Sequence, residues 1–187
     1  MRISNPFAKL SVKLQGIKTG KKCKFYGMPV IVKNKTASIT LGNRVTVTSG
    51  FLSNLVGLYQ RSVIVARHGA KIEIGDRVGM SGVTIYAFES IKIGSHTIIG
   101  ANTKILDSDM HPIDPEIRRA TPNNREHTKK RPVEIGENVF IGCNALILKG
   151  AKIGNNCVVG AGSVVTGVFE DNCIIAGNPA KVVKRLS

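Results

Sequence analysis

The chain has 187 residues and a mass of 20.1 kDa, long enough for one sizeable core and short for two, so a single domain with appendages is expected. Only 5% of its residues are aromatic and none is Trp, which argues against a core of large rings and suits a narrow one of Ile, Val, Leu and small residues. The net charge of +15 would attract polyanions, yet neither local cluster, Lys18 to Lys24 or Lys129 to Arg131, is interleaved with aromatics as a single-strand nucleic-acid binder requires.

In chain order, residues 1–24 lack any period and carry several lysines, and they read as an N-terminal extension with at most one short amphipathic helix around Phe7, Leu10 and Leu14. No apolar run there is long enough for a leader or a membrane span, so a soluble, cytoplasmic protein is expected. A hexapeptide pattern then emerges in Leu41-Gly42-Asn43-Arg44-Val45-Thr46 and again in Ile74-Gly75-Asp76-Arg77-Val78-Gly79. Between them, Phe51 to Ala66 departs from the motif and reads as less regular coils. The register returns from Ile93 to Ile105 and then stops. From Asp107 to Pro132 the chain holds Pro112, Pro115, Pro122 and Pro132 among polar residues, the mark of a loop thrown out from the coil. Loops of this length in a compact domain are usually functional.

From Ile135 the beat is regular, with a branched aliphatic every six residues: Ile135, Ile141, Ile147, Ile153, Val159 and Val165. Glycine follows most of them, and a small or branched residue stands two places before the next. Such a period is the signature of a parallel β-helix, whose neighbouring coils bury each other's apolar rows. Cys157 and Cys173 occupy the small position and are expected to pack in the core. No C-x-x-C pair or zinc-type Cys/His spacing occurs, so no metal site is expected. The β-helix is assigned to residues 25–177. Asn178 as N-cap and Pro179 as first helical residue predict a short C-terminal helix over residues 178–187, shielding the edge of the last coil.

The repeats, with Asp107-Ser108-Asp109-Met110-His111-Pro112 before the long loop and Gly160-Ala161-Gly162-Ser163-Val164-Val165-Thr166 and Ala176-Gly177-Asn178-Pro179-Ala180-Lys181-Val182 after it, resemble the hexapeptide-repeat acyltransferases. Within them the likeness is to galactoside and maltose O-acetyltransferases and their polysaccharide-biosynthesis relatives. The resemblance covers about Leu41 to the C-terminus. It implies an all-β, left-handed parallel β-helix, assembled as a homotrimer with active sites at subunit interfaces. It also implies an acetyl-CoA-dependent O-acetyltransferase acting on a sugar or polysaccharide-precursor hydroxyl, without a metal.

Acetyl transfer to a hydroxyl needs a base and donors for the tetrahedral oxyanion, and imidazole suits the base because it titrates near neutrality. The resemblance puts the catalytic base at His111. Asp109 is favoured over Asp107 as the carboxylate that orients it, and the backbone N–H of Cys143 becomes the oxyanion donor. Coenzyme A contacts map onto Gly142, Ala161 and Thr166, with Lys181 and Lys184 near its 3′-phosphate. Lysine stands there where galactoside acetyltransferase has arginine, and Gly167 replaces a lysine, so attraction is kept while bidentate geometry is lost. Phe140 matches an aromatic beside the site in relatives. Ser81 falls where relatives supply an asparagine to the sugar, which favours a saccharide other than galactoside or maltose. His68, His96 and His127 are read as surface residues.

Three other functions compete. N-acetylation of a nucleotide-linked amino sugar shares the cofactor, but many such enzymes carry an extra N-terminal domain for which residues 1–40 are too short. A γ-type carbonic anhydrase needs three zinc-binding histidines, and the H-x4-H pair expected of that family is missing. A non-catalytic β-helix would need neither the Asp-x-His loop nor the Ala-Gly-Asn-Pro-Ala-Lys-Val tail. Nucleic acid is not an expected partner, whereas the basic surface admits peripheral membrane contact.

Overall fold

A computed structural model describes residues 4–120 and 125–186. Positions 121–124, with Pro122 of the long loop, and Ser187 lie outside the described residues. Parallel strands form the three faces of a prism. The first face is Lys18–Thr19, Ser38–Leu41, Lys71–Ile74, Ser90–Ile93, Val133–Ile135, Lys152–Ile153 and Val168–Phe169. The second is Lys24–Tyr26, Thr46–Thr48, Gly79–Ser81, Ile98–Ile99, Phe140–Ile141, Val158–Val159 and Cys173–Gly177, and the third runs from Val30–Lys33 through Val63–Ala66, Thr84–Ala87, Lys104–Leu106 and Leu146–Ile147 to Val164–Val165. This is the expected left-handed parallel β-helix.

The hexapeptide aliphatics build it by stacking in register. On the second face Val47 pairs with Met80, Met80 with Ile99, Ile99 with Ile141, Ile141 with Val159 and Val159 with Ile175. Each of these side chains is buried, as are Cys157 and Cys173. A six-residue period therefore delivers one inward aliphatic per face, and the core becomes a column of aliphatic rows. The glycine after the aliphatic is needed for close approach between coils. A Cβ at Gly136 would lie 2.7 Å from the carbonyl carbon of Gly154, and one at Gly94 2.4 Å from that of Gly136. The asparagines of the repeat supply the left-handed turn residue, with φ of 54° at Asn138, 57° at Asn144 and 57° at Asn156.

Two segments leave the coil. Residues 49–62 bulge at the corner between the second and third faces, where the sequence indicated only irregular coils. Residues 107–132 leave at the corner between the third and first faces, as expected. They carry helix α2 (Pro115–Ala120), and an antiparallel bridge between Ser108 and Lys130 pinches the loop's base.

The ends correct the sequence reading. Helix α1 (Pro6–Leu14) forms, capped by the Asn5 side chain, but it buries Ala8 and Val12 and leaves Phe7, Leu10 and Leu14 exposed. The faces also start at Lys18, inside the segment read as an extension. The expected helix over residues 178–187 does not form among its described residues, 178–186. Instead Ala180–Arg185 is a strand, antiparallel to Cys173–Gly177 and joined to it by the two-residue loop Asn178-Pro179. The unpaired edge of the last coil offers a ladder of backbone partners, and β-branched Val182 and Val183 suit that ladder better than a helix.

Candidate functional site

The three corners of the prism differ in how they treat backbone donors. At the first corner, between the first and second faces, Asn43, Asp76, Ser95, Asn155 and Asp171 stand in one stack with Lys21 and Glu137, and the side chain of each of those five accepts the N–H of the coil before. Asn43 Oδ1 thus caps the Lys21 N–H at 2.9 Å, Asp76 Oδ1 caps Asn43 at 2.7 Å, and Ser95 Oγ caps Asp76 at 3.2 Å. Higher up, Asn155 Oδ1 caps Glu137 at 2.8 Å and Asp171 Oδ1 caps Asn155 at 2.7 Å. Among the described residues, Ser95, which lies under Glu137, and Asp171, at the end of the stack, lack such a cap. The Asp76 carboxyl is held below the usual carboxylate range, chiefly by the Asn43 side-chain and backbone donors.

The second corner, between the second and third faces, has the same backbone but Ala101, Cys143 and Ala161 at the equivalent place. Alanine cannot cap. Among the described residues the N–H groups of Ala101, Cys143 and Ala161 have no hydrogen-bond partner, whereas the carbonyls of Ala101 and Cys143 accept from Asn144 and Gly162, each at 2.9 Å. Glycines keep this column open: a Cβ at Gly100 would stand 2.5 Å from the Cys143 nitrogen, and one at Gly142 2.4 Å from that of Ala161. Buried Thr103 fixes the Gly142 carbonyl from within, donating to it at 3.1 Å. The result is a stack of aimed, unsatisfied donors on a rigid wall, the arrangement that stabilises developing negative charge.

Ser81 ends its strand at this corner and is partly buried, its carbonyl accepting from the Asn102 N–H at 3.1 Å. Phe140 stands on the second face with half its surface exposed. Lys181 and Lys184 lie on the closing strand, paired with Ala176 and Ile174 beside the top of the column. The sequence reading missed the loop 49–62 as part of this corner. Nearly buried Asn102 donates to the Gly57 carbonyl at 2.9 Å, and Gln60 Nε2 donates to Thr84 Oγ1 at 2.7 Å. A hexapeptide search sees only the missing period there.

His111 belongs to a different corner, the third, at the mouth of the long loop. Its ring is exposed and has no hydrogen bond among the described residues. The two carboxylates before it divide their work. Asp107 is fully buried and accepts the N–H groups of Phe88 at 2.8 Å and Glu89 at 2.7 Å, so it caps the previous coil; burial pushes its carboxyl up. Asp109 pairs through Oδ1 with Lys149 Nζ, a partner the sequence reading did not name, while its Oδ2 is buried and has no partner among the described residues. Thr166, exposed, also lies on this third side, after Val164–Val165, and not with Gly142 and Ala161. Within one chain, then, Gly142, Cys143, Ala161, Ser81 and Lys181 share one corner, while His111, Asp109 and Thr166 share another across the third face. The described residues contain no cluster of three or more His, Cys, Asp or Glu side chains able to hold a metal ion.

A groove of about 750 Å³ on the first face, lined by Lys92, Glu134, Asn138, Lys152, Asn156 and Phe169 among others, contains none of these candidates.

Residues 132–167 match the family model described as bacterial transferase hexapeptide (six repeats). The putative lipopolysaccharide biosynthesis O-acetyl transferase WbbJ of Escherichia coli K12 is 31% identical over 168 residues, spanning 88% of this chain and 80% of that protein. The galactoside O-acetyltransferase of Lactococcus lactis is 35% identical over 105 residues, 56% of this chain, and the match spans only 48% of that enzyme's length. Among solved structures, a point mutant of AntD, an N-acyltransferase from Bacillus cereus in complex with dTDP-4-amino-4,6-dideoxyglucose and coenzyme A, superposes with a TM-score of 0.72 at 20% identity. It covers 100% of this chain and 92% of its own, a likeness of fold.

Proposed function

The chain belongs to the hexapeptide-repeat acyltransferases, and from that membership we propose that it is an acetyl-CoA-dependent O-acetyltransferase of a saccharide hydroxyl. The observation that carries this reading is the uncapped N–H of Cys143, held between those of Ala101 and Ala161 on a backbone that is capped almost throughout the neighbouring corner.

In the proposed reaction His111 takes the proton of the acceptor hydroxyl as its oxygen bonds to the thioester carbonyl carbon. The Cys143 N–H donates to the resulting oxyanion. Collapse re-forms the carbonyl, breaks the carbon–sulfur bond, and returns the proton from the imidazolium to the departing coenzyme A thiolate. The unpartnered Oδ2 of Asp109 leaves one carboxylate oxygen for the imidazole, while Lys149 fixes the other. Gly142 and Ala161 would line the pantetheine arm, Lys181 and Lys184 would face the 3′-phosphate, and Ser81 and Phe140 would meet the acceptor.

Because His111 and Cys143 stand on different corners, the reading requires a second copy. A homotrimer in which the His111 loop of one subunit meets the Cys143 corner of the next completes each site. Polysaccharide biosynthesis in the cytoplasm, with peripheral membrane contact, belongs to the same reading, and no helix among the described residues is long and apolar enough to cross a membrane.

The test is incubation with labelled acetyl-CoA and a panel of sugars, oligosaccharides and nucleotide-linked amino sugars. Label transfer to a hydroxyl that is lost in His111→Ala supports the proposal. Transfer to amino groups alone would replace it with N-acetylation.

A further inference from the structure

The charge is not spread evenly along the prism. Residues 1–72 hold 13 of the 27 basic residues and none of the 12 acidic ones, so nearly all of the excess of +15 belongs to the first coils. Among the described residues, no basic side chain before Lys71 takes part in an ion pair. At the same end, α1 leaves Phe7, Leu10 and Leu14 exposed by 73%, 54% and 78%, a stripe at helical spacing on the side facing away from the core. Beside this stripe Lys9, Lys13 and Lys22 rim a groove of about 500 Å³ floored by Val12, Ile17 and Phe25.

An exposed apolar stripe within a field of unpaired cations is the pattern of a helix lying in a membrane interface. A second copy of this chain would bring the same uncompensated cations face to face, which opposes self-association there. A nucleic acid would use the charge but leave the aliphatic stripe in water. We propose that the N-terminal end of the prism docks on an anionic lipid bilayer, with Phe7, Leu10 and Leu14 inserted at the level of the headgroups and Lys9, Lys13 and Lys22 against their phosphates. The inference specifies the membrane contact in the proposed function and rests on that part of it. Its test uses no turnover, so docking and acetyl transfer fail independently.

The test is co-sedimentation of the full chain with phosphatidylcholine vesicles, and with vesicles in which about one lipid in four is phosphatidylglycerol. The expected result is binding to the anionic vesicles only, weakened by salt. The joint substitution Phe7→Ser, Leu10→Ser, Leu14→Ser should reduce partitioning about tenfold or more, and Lys9→Gln, Lys13→Gln, Lys22→Gln should abolish the preference for anionic lipid. Thermal melts of both variants should match the parent, because every substituted side chain lies outside the core. His111→Ala should bind vesicles as the parent does. Equal binding to neutral vesicles, or unchanged binding by the triple serine variant, overturns the proposal. So does a fall in oligomeric mass in that variant, which would make the stripe an interface between copies.

Discussion

The first and second corners of this prism have nearly the same backbone and opposite chemistry. In both, a stacked glycine lets consecutive coils touch, and the next residue presents its N–H to the coil above. Where that coil offers Asn155 or Asp171 the donor is satisfied at 2.8 or 2.7 Å; where it offers Ala161 the donor of Cys143 stays free. A single side-chain choice thus separates a corner that holds coils together from one that, in the proposed reaction, receives the oxyanion. If the proposed reaction holds, a repeat fold makes a site by omitting a cap while the remaining coils supply the stability.

The comparison is tested most severely by removing the base, since a free donor without a base should be nearly inert. His111→Ala should lower kcat by about 10²–10⁴ with an unchanged melting curve, because the ring is exposed and has no hydrogen bond among the described residues. Wild-type turnover in that variant would remove the imidazole from the mechanism. Next comes conversion of one corner into the other. Ala161→Asn places over Cys143 the side chain that Asn155 places over Glu137. Steady-state kinetics should show kcat falling by about 10²–10³, with stability equal or slightly raised.

The reverse change should affect stability and spare chemistry. Asn155→Ala uncaps Glu137 and removes the donation from Asn155 Nδ2 to Asp171 Oδ2, and it should cost about 1 kcal/mol in denaturant unfolding with kcat intact. The smallest effect concerns pH. Asp76 has its carboxyl held down in the folded state, so its stabilising contribution is present above its unfolded value of 3.8 and is lost as pH falls through the lower folded value. The stability gap between the parent and Asp76→Asn should therefore be open at neutral pH and close in acid. A gap independent of pH would assign the effect to shape and not to charge.

The fold was legible because an inward aliphatic every sixth residue leaves one arrangement that buries all of them, and Ile135 to Val165 keep that beat without error. The closing strand was not legible: Asn178-Pro179 is a helix start in isolation, and only the open edge of Cys173–Gly177 makes it a hairpin. Helix α1 was visible but not its orientation, since apolar residues normally face inward and here Ala8 and Val12 take that place. Of the proposed site, His111 and Cys143 come from the motifs of the resemblance, whereas the Lys149 partner of Asp109 is 40 residues away and follows from coil stacking alone. The uncapped corner needed the structure too, because Ala101, Cys143 and Ala161 acquire meaning only beside the Asn and Asp residues of the other corner. The charge asymmetry, by contrast, stands in the sequence once charges are summed coil by coil instead of over the whole chain.

The central claim is that a working site takes its base from one subunit and its oxyanion donor from another. Co-refolding His111→Ala with Ala161→Asn, each expected to be nearly inactive alone, tests it directly. If subunits mix at random in a homo-oligomer, about a quarter of the interfaces combine an intact His111 with an intact Cys143 corner, and turnover should recover to about that share of wild type. Mixed oligomers no more active than the two variants apart would contradict the account and place the whole site within one chain.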